Sequence, residues 1–480
     1  MNSKAELPSS SPRSDATSRA GKFLRRHRIE LSLFLCLWLV YGITANSRNQ
    51  YEFNLQQAGV EAIVERHHFY LEGSATPRLQ MRVYYYDGDK PFGDVFLHNG
   101  HQYAAKQPGQ FMFGAAVYFL LQLLGLDYFH HFFLASALVS FLTTSVVTAL
   151  AAVAVFATVR ELAGEPKLFW PLACALSYGL GTTAFVYAGI AYHDALASGF
   201  VAMAFGCAVF LARRAPVGRA AMFLAGSCGL LLGLTVTTSM LPFLLACVIA
   251  IYVLWLRRWN LSAALLVGGL LGVAPLLVFN TISFGNPLLN SYIVGGYPES
   301  MLHLDLHNSI EKAQLYLKEI TYYVPIAWLG ILGLLFFPPW LRREQIVISL
   351  LLLAQAFQVL NIDSHGGCHY GPRFLLPIMP FVCIGLGGFV FVRSGLIRSL
   401  ATGAAILLGL VSIIINTAGA IFTAMYCDVD RYAFWPALGN LRGLTLNDFP
   451  LAAWLGLPLL VSLILLVRSI RSYPAREVLA

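Results

Sequence analysis

Apolar runs of about 20 residues, the length a bilayer core demands of a helix, recur from Ile29 almost to the C-terminus. Short polar stretches separate them, and the runs contain almost no ionisable side chains. The pattern predicts an all-α polytopic membrane protein with about twelve spans, near 29–45, 131–159, 168–190, 193–212, 218–236, 239–256, 261–282, 324–341, 345–361, 374–392, 400–423 and 451–467. The first run has no small-residue cleavage site after it, so it reads as a retained span rather than a signal peptide. The stretch 111–128 is apolar too, but counting it would invert every later loop, so it is predicted to be an interfacial helix.

Within 46–130, the longest polar segment, "NLQQAGVEAIVERHHF" places Leu55, Gly59, Ala62, Ile63 and Phe69 at spacings fit for one helix face. Glu61, Glu65 and Arg66 fall on the other sides, predicting an amphipathic helix on the membrane surface. Three parts follow: a basic, disordered tail over 1–28, a membrane domain over 29–467 whose first outer loop is 46–130, and a short tail over 468–480.

Composition agrees: of 480 residues, 58% are hydrophobic and 12% charged, about half the charge of a soluble domain. The net charge of +8 does not point to nucleic acid. Its basic clusters, from Arg25/Arg26/Arg28 through Arg213/Arg214, Arg257/Arg258, Arg342/Arg343 and Arg393/Arg398 to Arg468/Arg471, sit at the ends of apolar runs, as cytoplasmic loops require. Both termini are then expected inside a plasma (inner) membrane, with 46–130, 187–194, 283–323, 362–373 and 424–450 facing the periplasm or exterior.

An intramembrane charge costs about 2.5–3.5 kcal/mol, and the scarcity of such charges counts against an ion-driven carrier. Chemistry is expected at the outer rim instead. Glu52 follows the first span, where a general base could stand; its bland alternative is an interfacial glutamate. Asp87, Asp89 and Asp94 follow, Asp-Gly-Asp being a frequent turn. Asp194 opens the fourth span, as a site acid or a helix cap. Lys106 and Arg373 are basic residues on the side where the positive-inside bias disfavours them, a combination suited to a lipid-borne phosphate. His193, Tyr103 and Tyr370 are candidate substrate contacts. His303, Asp305 and His307, or His365, Cys368 and His369, lack the paired spacing of a structural zinc site; a divalent metal stays open, with no ligand set assigned. Six of eight cysteines lie in apolar spans, while Cys368 and Cys427 share the outer side and are candidates for a disulfide.

Taken in order, the acid after the first span, the loop helix, the Lys106-Gln107-Pro108 element, "FGNPLLNSY" and "GGCHYGPRFLLPIMP" resemble the GT-C glycosyltransferase superfamily. Dolichyl-phosphate-mannose-protein mannosyltransferase-like proteins and bacterial aminoarabinose transferases of lipid A are the nearest in pattern. The resemblance implies a GT-C-like helical bundle with an outward-facing site. It implies a polyprenyl-phosphate sugar donor and a lipid, glycan or protein acceptor, in a hexosyl- or pentosyltransferase that inverts the anomeric centre. By the same resemblance Glu52 takes the position of the catalytic acid, Lys106 and Arg373 meet the donor phosphate, and Asp194 is a second acid. Glutamate replaces the usual aspartate and Gln107 interrupts Lys-Pro-Pro, which leaves Asp94 as the alternative base. A flippase for a lipid-linked glycan, or a non-catalytic scaffold, are the competing classes.

Overall fold

The computed structural model describes residues 27–82, 84–86, 90–92, 94–164, 168–296, 305–362, 364, 366–422, 424–426, 432–439 and 443–473. Most of 1–28, the end of 468–480, and the candidates Asp87, Asp89, His303, His365 and Cys427 lie outside these residues. The protein is a bundle of helices whose regular length follows from uninterrupted runs of Leu, Val, Ala and Ile. Many of these side chains face outward: Leu266 on Trp259–Phe284 is 63% exposed and Leu353 on Arg342–Leu360 is 64% exposed. A soluble surface would not tolerate so continuous an apolar patch; a bilayer covers it without cost.

Among the described residues, 8 helices are long and apolar enough to cross a membrane, or up to 9 if one bent pair counts as a single span. That is fewer than the twelve expected. The difference lies in helices that are shorter or broken. Arg28–Thr44 has 17 residues and Phe243–Leu254 has 12. The run 168–190 is split into Phe169–Gly181 and Thr183–Ala188 at Thr182, whose extended backbone and hydroxyl start a new helix. The segment His307–Tyr323 turns by 108° into Ile326–Phe336.

Glycine governs the tightest packing. Helices Gly218–Thr238 and Trp259–Phe284 approach until a Cβ placed on Gly229 would lie 1.9 Å from the Leu265 carbonyl oxygen, and one on Gly268 would lie 2.0 Å from that of Gly226. Backbone contact of this kind replaces the hydrophobic drive that helices in lipid lack.

The first loop departs from expectation. Asn54–Glu65 is a helix, but it is buried between neighbours rather than laid on a surface, and Gln56 through Ala62 are all covered. Glu61, expected on an outer side, is fully buried, accepting from Ser74 Oγ at 2.8 Å and pairing with Arg66 at 2.5 Å. Its charge is satisfied inside, so the helix can bury its polar side too. The stretch 111–128 supplies the short apolar helix Gly109–Leu123. Two antiparallel hairpins, Tyr84–Tyr86 with Lys90–Phe92 and Val95–His98 with His101–Ala104, were not anticipated.

Candidate active site

The second hairpin builds the heart of the site. Asn99 and Gly100 both adopt positive φ, 49° and 82°, the geometry a two-residue hairpin turn needs and the reason Asn-Gly is favoured there. The turn fixes the register, Val95 opposite Ala104. One step further the Ala105 amide donates to the Asp94 carbonyl at 2.7 Å. Asp94 and Lys106 therefore emerge together at the open end, with Lys106 Nζ donating to Asp94 Oδ1 at 2.8 Å. The Lys106 carbonyl accepts from Ser291 Oγ at 3.0 Å, and Gly109 is wedged so closely that its Cβ would stand 2.7 Å from Thr238 Cα. The lysine thus projects from a backbone held on two sides.

Lys106 is 7% exposed, and Asp94 opens into a cavity with 53% of its side chain exposed. Burial alone would raise the Asp94 carboxyl, but the charge and hydrogen bond of Lys106 hold it below the usual carboxylate range. Burial alone would likewise lower the Lys106 ammonium, and Asp94 keeps it above its ordinary value.

Glu52 reaches the same cavity from another direction. It ends the short helix Ser47–Glu52, whose N-cap Asn46 accepts from the Asn49 amide at 2.8 Å. Buried amides tie this helix down: Asn46 Nδ2 donates to the Ala420 carbonyl at 2.9 Å, Gln50 Nε2 to that of Gly189 at 2.7 Å, and Asn49 Oδ1 accepts from the Ala424 amide at 2.8 Å. Arg48 Nε donates to Glu52 Oε1 at 2.9 Å.

Asp194 stands in the first turn of His193–Arg214, where a carboxylate complements the helix dipole. It does not cap that helix. Its Oδ1 accepts from Ser239 Oγ at 2.8 Å and its Oδ2 faces Arg373 Nε at 3.6 Å. His193 is held between Gln56 Nε2, 3.1 Å from Nδ1, and Asp194 Oδ1, 3.4 Å from Nε2. Arg373 also contacts the His369 ring and lies over the rings of Tyr192 and Phe374, 5.7 and 4.9 Å from their centroids. Three glycines precede it with positive φ. Gly366 and Gly367 line the cavity. Gly371 packs against Thr183 and Tyr323.

The cavity measures about 590 Å³ and is lined by Glu52, Asp94, Lys106, His193, Asp194 and Arg373 together. Tyr103 and Tyr370 do not line it. Tyr103 is buried among Phe96, Phe279 and Phe284, stacked on Phe96, its partner across the hairpin. Tyr370 donates its hydroxyl to the Ile415 carbonyl at 2.7 Å, tying the glycine-rich loop to Gly395–Phe422. Sequence reasoning missed Gln56, Tyr192, Ser239, Tyr292 and Gln358 on the wall. The break "TTSMLP" between two apolar runs was the signal available for Ser239.

Among the described residues no group of three or more His, Cys, Asp or Glu side chains is placed to hold a metal ion. Asp305 caps Leu306–Tyr323 and His307 pairs with Glu311 at 3.4 Å. Cys368 is disulfide-bonded, and the six cysteines of the apolar runs are free.

No protein-family model matches the chain, and no curated protein matches it in sequence. Among solved structures it superposes on ArnT from Cupriavidus metallidurans in the apo state, with TM-score 0.50 and 13% identity, over 92% of this chain and 76% of that one. The fold is shared. The all-α membrane bundle expected from the sequence is thus the architecture observed, with a fold like that of ArnT. Two further matches are ArnT from the same organism bound to undecaprenyl phosphate (TM-score 0.46, 13% identity, 93% and 77% covered) and the Archaeoglobus fulgidus oligosaccharyltransferase complex with zinc and sulfate (0.47, 10%, 82% and 54%). The chain spans about half the length of that oligosaccharyltransferase.

Proposed function

We propose that the protein is a membrane glycosyltransferase that moves a sugar from a polyprenyl-phosphate donor to an acceptor hydroxyl at the outer face of the membrane. One observation carries this reading: two cations, Lys106 and Arg373, and three carboxylates, Glu52, Asp94 and Asp194, converge from distant chain segments on one cavity. The position of the cavity supports the sidedness. His193–Arg214 runs from Asp194 to Arg213 and Arg214, about 30 Å at 1.5 Å per residue, which is the thickness of a bilayer core. The Arg213/Arg214 end of this helix and the cavity are therefore a bilayer core apart.

In the reaction we infer, Glu52 accepts the proton of the acceptor hydroxyl as its oxygen bonds to the anomeric carbon. The bond from that carbon to the phosphate oxygen breaks with its electron pair, and the departing polyprenyl phosphate gains one negative charge. Lys106 and Arg373 stabilise that charge. Attack opposite the leaving group inverts the anomeric centre. Asp194 holds Arg373, and His193 holds Asp194, so these two act by positioning.

The test is turnover of a panel of radiolabelled polyprenyl-phosphate sugars by the purified protein, beside Glu52→Gln. Release of lipid phosphate by wild type and its loss in the variant are the expected result. Wild type that moves intact donors between leaflets without cleaving any would establish a flippase instead.

A further inference from the structure

Each cation of the cavity already has a carboxylate, but the two pairs are built differently. Asp194 is fixed, buried and bonded to Ser239, with Arg373 at 3.6 Å. Asp94 is half exposed, and among the described residues the hydrogen bond its carboxylate accepts comes from Lys106 alone, at 2.8 Å. A carboxylate oxygen at that distance occupies the place a phosphate oxygen would take on the same ammonium. Lys106 is 7% exposed and its backbone is pinned, so it offers little room for both anions.

A site that stabilises a leaving phosphate faces a second difficulty. The product carries more negative charge than the donor, so whatever lowers the barrier also holds the product. A carboxylate tethered beside the lysine counters this, since it competes at an effective concentration on the order of millimolar or more. The hairpin register supplies the tether. It keeps the Asp94 backbone next to Lys106 whether the side chain points at the ammonium or turns into the open cavity.

We propose that Asp94 is a resident counter-ligand of Lys106, displaced by the donor phosphate and returning to release the polyprenyl phosphate left after transfer. The proposal rests on the reading of Lys106 as the phosphate site. It adds a positioning role for Asp94 in product release that the transfer step itself does not require.

The experiment measures affinity and dissociation rate of farnesyl phosphate, a short sugar-free polyprenyl phosphate, on the full chain in detergent. Asp94→Asn should bind it about tenfold more tightly, with most of the gain in slower dissociation. Glu52→Gln removes the same charge from the same cavity without touching Lys106, and should change affinity less than about threefold. In a Lys106→Ala background the effect of Asp94→Asn should vanish, because the pair it breaks no longer exists. Asp94→Glu, which keeps the charge, should stay near wild type and guards against misreading a folding defect.

Unchanged or weaker binding by Asp94→Asn overturns the proposal while leaving the phosphate site intact. A gain that persists without Lys106 also overturns it, since a general field effect would then be the cause. Wild type that fails to bind farnesyl phosphate removes the phosphate reading and this one together.

Discussion

Replacing Lys106 by alanine removes the charge proposed to meet the donor phosphate, and the structure sets the size of the effect. The ammonium is nearly covered but borders an open cavity, so an effective dielectric near 20 applies rather than that of water. A unit charge about 4 Å from the phosphate is then worth about 4 kcal/mol. Only the part that grows as the phosphate departs accelerates transfer, and if most of it does, the rate falls by roughly a thousandfold. The half-exposed Asp94 left behind is hydrated, so the substitution adds no buried unpaired charge to confuse the reading. Single-turnover transfer with enzyme in excess over labelled donor isolates this step from product release. Lys106→Arg keeps the charge but spreads it over a planar fork, and should recover part of the loss. A single-turnover rate within about tenfold of wild type in Lys106→Ala would refute the phosphate assignment.

Asp194→Ala breaks the pair with Arg373 in a buried setting and should lower stability by about 3–5 kcal/mol, read as a drop in thermal midpoint in detergent. Asp194→Asn, which can still accept from Ser239, should lose less. Gly229→Ala forces apart helices in backbone contact and should cost about 1–3 kcal/mol by overpacking; an unshifted midpoint would contradict the close approach. Asp94 holds Lys106 above its ordinary value near 10.4, so the ammonium stays charged below that pH and its contribution is lost only as pH rises through the elevated value. Farnesyl phosphate binding should therefore show no loss between about pH 7 and 9 that Lys106→Arg abolishes.

How much of this was legible follows from where the signals lie. Long apolar runs and the basic residues at their ends announce a membrane bundle without any knowledge of packing. Lys106, Asp194 and Arg373 were recognisable as charges at the edges of apolar runs, Glu52 as the first acid after the first span and Asp94 as the acid nearest Lys106, and all five line one cavity. The number of spans was not legible, because the break at Thr182 and the bend between Tyr323 and Ile326 depend on backbone angles inside hydrophobic sequence. Glu61 misled because helix periodicity cannot foresee that Arg66 and Ser74 will satisfy it inside. Tyr103 and Tyr370 were chosen by residue type, and only register and loop closure show that both face away from the cavity. "VFLHNGHQYA" did carry a readable hairpin signal, Asn-Gly between two short β-prone runs. Its shortness hid it among longer apolar stretches.

That hairpin divides the labour of a few residues in a way that matters for how such a protein can diverge. The register is fixed by the pairing along the two strands, so a one-residue insertion within Val95–His98 or His101–Ala104 would shift the alignment that sets the Asp94 backbone beside Ala105 and Lys106. The tip is under no such rule. Asn99 and Gly100 are exposed and far from the pair their turn aligns. Extra length added there in even, symmetric steps could carry a new surface outward while the ionic end keeps its spacing. Reach could be lengthened in paired steps without renegotiating the chemistry.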